Sequence, residues 1–404
     1  MRGKTLLHLG AAGFQVPAIT RAVELGCRVV TADNRPDNPG HRFGHVYENV
    51  STVDLSGILA VARRHGVDGV MTYGSDVAAP TVCHVAEQLG LPGNPYAAAR
   101  LLQRKDLFRA FQAEVGLPHP AFFAARSADE ARAQIARLAG RVVVKPADSS
   151  GSKGQSVIAS ADEVEAAFDR AASFSRCGVV VFEEFLEQDL LELDGDLLFQ
   201  DGMLAFRHYG HNYFRDDALA AVPCGEIFPG FFSSDVESQL DRQFRTVIEK
   251  LGLRNGCMNF DGILCGGTAY ILDLGLRNGG NFVPDLIRLS TGFDLTRAAV
   301  FAALGLRVSC ERLVAEHPRP VASYILNSHM EGAYRGVEVS DRLRPYLVET
   351  RVFVDVGAPV LPFDRGDRAL GMVFFLVPDM ATLRRSIRGV EREVQVIVEP
   401  ARSA

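Results

Sequence analysis

The chain has 404 residues, 47% hydrophobic and 23% charged, which excludes a mainly disordered protein and provides for about two or three cores. A formal net charge of −6 without any block of like charges excludes a general nucleic-acid binder. Seven scattered cysteines (Cys27, Cys83, Cys177, Cys224, Cys257, Cys265, Cys310) with no C-x-x-C pair point to reduced thiols and the cytoplasm, and no signal-peptide pattern or bilayer-length apolar run is present, so no membrane association is expected.

Residues 5–9 read as a strand, Gly10-Ala-Ala-Gly13 as a tight turn, 14–25 as an amphipathic helix and 28–31 as the next strand. Helices at 55–65 and 76–89 flank a strand at 69–72, the alternation of a small parallel sheet. Asp33, about twenty residues beyond the glycine turn, invites a dinucleotide site, but the G-x-G-x-x-G fingerprint is absent and a surface loop is the competing reading. After the break at Gly90-Leu-Pro-Gly-Asn-Pro95, helices at 95–102 and 105–115 lead into hairpin-like strands at 141–145, 155–159, 179–183, 190–199 and 203–209, with a helix at 162–172. A long helix at 235–251 precedes strands 257–265 and 269–274, joined by Gly266-Gly267. From about Pro318 short strands and turns prevail, closing with a helix at 382–393 and a strand at 394–398. The expected class is α/β and α+β, in three units at 1–97, 98–305 and 306–404.

Residues 142–154 read VVVKPADSSGSKG. A β-branched strand delivers Lys145 to its end, and Ser149, Ser150, Gly151, Ser152 and Gly154 then leave backbone N–H groups free for an anion, with Lys153 as a movable charge. The spacing is not that of the P-loop, and a plain hairpin turn is the competing reading. The strand ending Glu183-Glu184-Phe185-Leu186 passes into a short connection that can read adenine through backbone groups and a carboxylate. If 257–265 and 269–274 form a hairpin, Asp261 and Asp273 lie on adjacent strands, two hard oxygen ligands that suit magnesium beside phosphates. Arg277 just beyond would stabilise a transferring phosphoryl group. His208, His211 and Arg215 are candidates for lining a substrate pocket, although histidines beside aromatics are often structural; Cys224 reads as a small buried residue.

In this order and spacing the segments resemble the ATP-grasp superfamily, of the carboxylate–amine ligase type, similar to the ATP-binding modules of biotin carboxylase and carbamoyl phosphate synthetase, over roughly residues 1–305. The resemblance implies a Rossmann-like pre-ATP-grasp domain at 1–97, an ATP-grasp domain at 98–305 and a small mixed β-rich domain at 306–404. It implies that Lys105 and Lys145 contact nucleotide phosphates, that residues 149–154 form a closing flap, that Glu183, Glu184, Phe185 and Leu186 form the adenine hinge, and that Glu192 holds the ribose. Asp261 and Asp273 stand where the superfamily has metal-binding acids, and Arg277 matches the arginine of E-x-N-x-R. Gly275 departs from that motif: its asparagine is a further metal ligand, for which Asn278 or Asn281 would have to substitute, with Gly280 beside them at the acceptor side. The implied cofactors are ATP and magnesium, or manganese in its place. The implied reaction joins a small-molecule carboxylate to an amine through an acyl phosphate, releasing ADP and phosphate, in a chain for which a homodimer would be unsurprising. A degenerate ATP-binding sensor without turnover and a bicarbonate-using carboxylase are the alternatives.

Overall fold

The computed structural model describes residues 1–151, 153–214, 222–310, 312–363 and 366–400. Ser152 and Arg215, both expected in the site, lie outside the described residues.

The first unit is a four-stranded parallel sheet in which Thr5–Leu9 lies between Arg28–Ala32 and Gly69–Thr72, with Val46–Glu48 at the edge. Its strands are apolar on both faces, as a sheet covered by helices requires: Leu6 packs with Ala18 and Ile19, while Leu7 and Leu9 pack with Ile58 and Val61. The helix expected at 76–89 starts only at Ala79, where Pro80 suits a first turn. Asp76 is thereby left in the connection beyond the C-terminal end of strand Gly69–Thr72, the edge of an open α/β sheet where ligands gather.

A second sheet, antiparallel, has the order Phe122–Ala125, Val180–Glu184, Val142–Pro146, Ser156–Ile158. Helices Ala128–Gln134 and Val164–Ala172 cover one face, around Phe123, Val142, Val144, Phe168 and Phe182. The largest sheet has eight antiparallel strands in the order Thr268–Gly275, Gly256–Cys265, Glu192–Gln200, Met203–Tyr213, Gly225–Phe228, Val321–Leu326, Gly371–Leu376, Leu347–Val352. Its last three strands come from beyond residue 305, with Ile227 opposite Ala322 at the junction. Helix Ser234–Lys250 packs Leu240, Phe244 and Val247 against Leu193, Leu197 and Phe199 on one face. Period-two alternation then places Glu192, Asp194 and Asp196 on the opposite face. Helices Val283–Thr291 and Leu295–Ala303 pack there with Leu198, leaving the acidic end of that face as the wall of a cleft. A three-stranded sheet of Pro359–Val360, Gly332–Val339 and Val394–Pro400 closes the C-terminal end, with Tyr334 and Val394 packed against Leu383 and Val373.

Candidate functional site

One wall of the cleft is cationic. Lys145 and Glu183 share a face of the second sheet, and Lys145 Nζ lies 2.7 Å from Glu183 Oε2 while Arg109 Nε lies 2.9 Å from Glu183 Oε1. Burial pushes the Glu183 carboxyl up, but Arg109 and Lys145 outweigh it and hold the group below the usual carboxylate range. Glu183 was expected in the adenine hinge. At 2% exposure, between two cations, it anchors Lys145 instead, because strand alternation turns it inward. Glu184, Phe185 and Leu186 do follow the strand into the connection: Glu184 Oε1 accepts from Ala121 N at 2.8 Å, and Phe185 N donates to Arg141 O at 3.0 Å under the Arg141 guanidinium.

Lys105 opens helix Lys105–Glu114, and its Nζ donates to Ser149 O at 3.0 Å while pairing with Asp273 Oδ1, also at 3.0 Å. Burial pulls the Lys105 ammonium down, and Asp273 more than restores it. The loop after Lys145 is pinned at its start by Asp148, which accepts from Ser175 Oγ, Arg176 N and Cys177 N. Gly154 ends it at φ 74°, where a Cβ would meet Phe174 at 2.8 Å. Between these anchors Ser150, Gly151 and Lys153 are exposed.

The opposite wall is acidic. Asp273, Asp261 and Asp194 stand directly opposite one another on three neighbouring strands. Asn212, on the fourth strand, donates through Nδ2 to Glu192 Oε1 at 3.3 Å and Asp261 Oδ1 at 3.2 Å. Asp194 Oδ1 accepts from Asn259 Nδ2 at 3.2 Å, and its buried Oδ2 has no hydrogen-bond partner among the described residues. Burial and the Asp273 charge push Asp261 up to about 6, and burial with the Asp261 charge pushes Glu192 up to about 8. Burial likewise raises Asp273, but Lys105, Lys145 and Arg109 hold it below its ordinary value. Asp273 has its counter-charge, but Asp261, Glu192 and Asp194 crowd beside it without enough cationic compensation, so the donor set fits a divalent cation. Among the described residues no three His, Cys, Asp or Glu side chains converge tightly enough to cage a metal alone. Magnesium commonly uses one or two carboxylates, with phosphates and water completing the shell.

The loop after strand Thr268–Gly275 carries Arg277. Its Nε and Nη2 each donate to Asp76 at 2.8 Å, and Nη1 donates to Asn259 Oδ1 at 2.8 Å and Asn278 O at 3.0 Å. Gly275 is closed by space rather than backbone: a Cβ would lie 2.4 Å from Asp76 Oδ1 and 2.7 Å from Arg277 Nε. The two asparagines expected to compensate spend amide N–H groups on carboxylates, while the buried Oδ1 of Asn278, the atom that could ligate a metal, has no hydrogen-bond partner among the described residues. Asn278 is buried and donates to Asp196 Oδ2 at 3.1 Å, beside Gly279 N, while Asn281 donates to Glu226 Oε1 at 2.9 Å. Gly280 faces open space at the mouth of the loop.

The two histidines expected near substrate are structural. His208 is buried, stacked on Phe228 and bonded through Nε2 to Ser290 Oγ at 3.0 Å; burial and Arg207 push it down to about 3. His211 is on the other face of its strand, accepting from Phe231 N at 2.8 Å through Nε2, with Nδ1 on the carbonyls of Leu191 and Glu192. From that segment it is Asn212, not a histidine, that reaches the acids. Asp76, Asp194 and Glu226 also border the site without having been singled out, and Asn259, read only as part of the Asp261 segment, joins Asp194 to Arg277. The one sequence signal was the alternation of acids in ELDGD, 192–196. The dinucleotide alternative is not supported: Gln15 folds over the glycine turn, bonding Leu9 O, Tyr73 O and Ala12 N, and Asp33 is committed to Ala11 N, Arg35 N and Asn38.

Two facing sheets, Lys145 on one and acids on the other, with Lys105 on a helix between them and a parallel α/β unit behind, define the ATP-grasp fold. Solved structures share it: an L-amino acid ligase from Bacillus licheniformis (TM-score 0.82, 19% identity, covering 99% of this chain and 100% of that one), a phosphoribosylglycinamide synthetase from Anaerococcus prevotii (0.78, 18%, 98% and 100%), and an N5-carboxyaminoimidazole synthetase from Staphylococcus aureus complexed with ADP (0.75, 16%, 96% and 96%). No family model matches the chain. By sequence it is similar to the formate-dependent phosphoribosylglycinamide formyltransferase of Parasynechococcus marenigrum, 30% identical over 285 residues, 68% of this chain and 70% of that protein. The enzyme of the same name from Synechococcus sp. (strain CC9311) is 29% identical over 311 residues, 76% and 77% of the two chains. The chain belongs to the ATP-grasp superfamily of ATP-dependent ligases. Among the described residues no helix is long and apolar enough to cross a membrane.

Proposed function

We propose that this chain is an ADP-forming carboxylate–amine ligase. A substrate carboxylate oxygen attacks the γ-phosphorus of ATP, the bond to the β–γ bridging oxygen breaks, and ADP leaves an acyl phosphate. The amine nitrogen then attacks the acyl carbon, phosphate departs with the C–O electron pair, and the nitrogen loses a proton. Lys105 and Lys145 neutralise the phosphates, and residues 149–154 close over them to exclude water that would hydrolyse the acyl phosphate. Glu184, Phe185 and Leu186 read adenine and Glu192 the ribose. Asp261 and Asp273 hold magnesium, which neutralises phosphate oxygens when bound. Arg277 stabilises the oxyanion that forms at the acyl carbon. The three units are 1–97, 98–305 and 306–404, the last lending strands to the large sheet.

The observation that carries this reading is the 3.0 Å contact between Lys105 and Asp273. Lys105 opens the helix that bridges the two sheets and meets an acid of the large sheet at one point, where metal-bound phosphates would take over both partners. The relatives agree in class: a formate-dependent formyltransferase draws its acyl group from a carboxylate. Purified protein with magnesium, ATP and paired panels of carboxylates and amines is expected to release phosphate and ADP only with a competent pair, and Asp273→Asn to lose that release by at least about 100-fold. Phosphate release indifferent to Asp273→Asn, or absent with every pair, sinks the reading.

A further inference from the structure

Five N–H groups on Arg277 are available for hydrogen bonding. Four are taken in the ligand-free site: Nε and one Nη2 hydrogen by the Asp76 carboxylate, and both Nη1 hydrogens by Asn259 Oδ1 and Asn278 O. The guanidinium is therefore fixed in all directions but one, with a single Nη2 hydrogen left over. Its principal clamp comes from another unit, across 201 residues of sequence. Arg277 is 10% exposed and Asp76 24%, so the pair is shielded, and a fork-to-fork arrangement fixes the plane of the guanidinium as well as its position. The same carboxylate fills the space above Gly275, where any Cβ would lie 2.4 Å from Asp76 Oδ1.

We propose that Asp76 is the positioning residue for Arg277, and that Gly275 is the vacancy that lets it reach across from the N-terminal unit. The proposal rests on the ligase reading for its kinetic consequence but not for its geometry. A side chain at 275 and the Asp76 carboxylate exclude each other. The absence of the superfamily asparagine is then no loss of machinery: the volume is assigned to a different clamp on the same arginine. Through this pair the seating of the parallel-sheet unit is coupled to the orientation of a group at the reacting centre, 76 holding 277 as a fixed dipole rather than a mobile cation.

The test has one arm that needs no activity. Asp76→Ala, Gly275→Ala and the double variant form a cycle in thermal midpoint. Gly275→Ala is expected to lower the midpoint by about 2–4 °C in the native background and by clearly less once Asp76 is alanine, the remainder being the approach of the new Cβ to Arg277 Nε. Equal losses in both backgrounds overturn the proposal. The second arm is kinetic, with any substrate pair that elicits ADP. Asp76→Ala and Gly275→Ala should each lower kcat about 100-fold while the KM for ATP moves less than about twofold, and Asp76→Glu should recover part of the loss. Should Asp76→Ala fold poorly, Asp76→Asn, which keeps the shape and drops the charge, takes its place in the kinetic arm, and Asp76→Ser, which removes the carboxylate's volume, in the midpoint arm. A kcat unchanged by these variants, or a fall shared equally by ATP affinity, also overturns it. A wild-type chain that turns over nothing counts against the ligase reading, and the midpoint cycle then decides the Asp76 assignment alone.

Discussion

At the scale of single residues the site is built from charges that hold one another in the absence of ligand. Glu183 sits between Lys145 and Arg109 with all three side chains buried. Removing it leaves two cations uncompensated in low dielectric, so Glu183→Ala is expected to cost about 3–5 kcal/mol, read as a lower urea midpoint at unchanged slope. The buried histidines act on pH dependence with the opposite polarity to an acid held up by burial. His208 titrates near 3 in the folded chain and near 6.5 unfolded, so between these values the unfolded chain binds the extra proton and stability falls as pH falls. Replacing it by asparagine should cost stability at pH 7, and the deficit against the parent should shrink by about 2 kcal/mol at pH 5; a deficit independent of pH would show that the imidazole is not held neutral. Lys145, Asp261, Asp273 and Arg277 were singled out in the sequence because their segments carry local signals, and Lys105 because the resemblance implied it. Asp76 and Asn212 were not, since each matters only through a partner on another strand or in another unit.

At the scale of elements, the loop proposed to close over the phosphates is anchored at both ends, with Ser150, Gly151 and Lys153 exposed. Gly154 is needed twice over, for its left-handed φ and for Phe174 lying where a Cβ would go. Gly154→Val is expected to raise the KM for ATP roughly tenfold with a smaller effect on kcat, since the loop's closed position, not the chemistry, is disturbed; a variant with wild-type KM would remove this loop from the nucleotide site. Strands and helices with clear periodicity fell within a few residues of expectation, such as helix Leu55–His65 and the hairpin of Gly256–Cys265 with Thr268–Gly275. The helices Val283–Thr291 and Leu295–Ala303 and the short strand Phe122–Ala125 went unread. Leu295–Ala303 is apolar around much of its circumference, being packed between two sheets, which blurs the one-sided pattern that marks a surface helix.

At the scale of the whole molecule, the eight-stranded sheet is the feature with the longest reach. Val321–Leu326, Gly371–Leu376 and Leu347–Val352 extend it beyond Gly225–Phe228, so a chain ending at residue 305 would expose that strand's edge and unroof Ile227, Phe228 and their neighbours. Such a truncation is expected to be recovered mainly as aggregate, judged by size-exclusion chromatography of the soluble fraction. A monodisperse product with the parent's thermal midpoint would show that residues 306–404 stand apart from the core. The cleft is likewise a whole-molecule property: Lys145 comes from one sheet, Asp261 and Asp273 from another, and Asp76 from the parallel unit.

The sequence by itself determined the class of the protein, because a β-branched run ending in lysine, a small-residue loop, and acids on a hairpin are local patterns that survive without knowledge of packing. It also exposed the departure at Gly275. What filled that position, which way Glu183 turned, and which of His208, His211 and Asn212 met the acids were decided only by tertiary structure. Each depends on register between strands or on contact between units more than a hundred residues apart, and a one-residue change of face or a distant carboxylate leaves no trace in local composition.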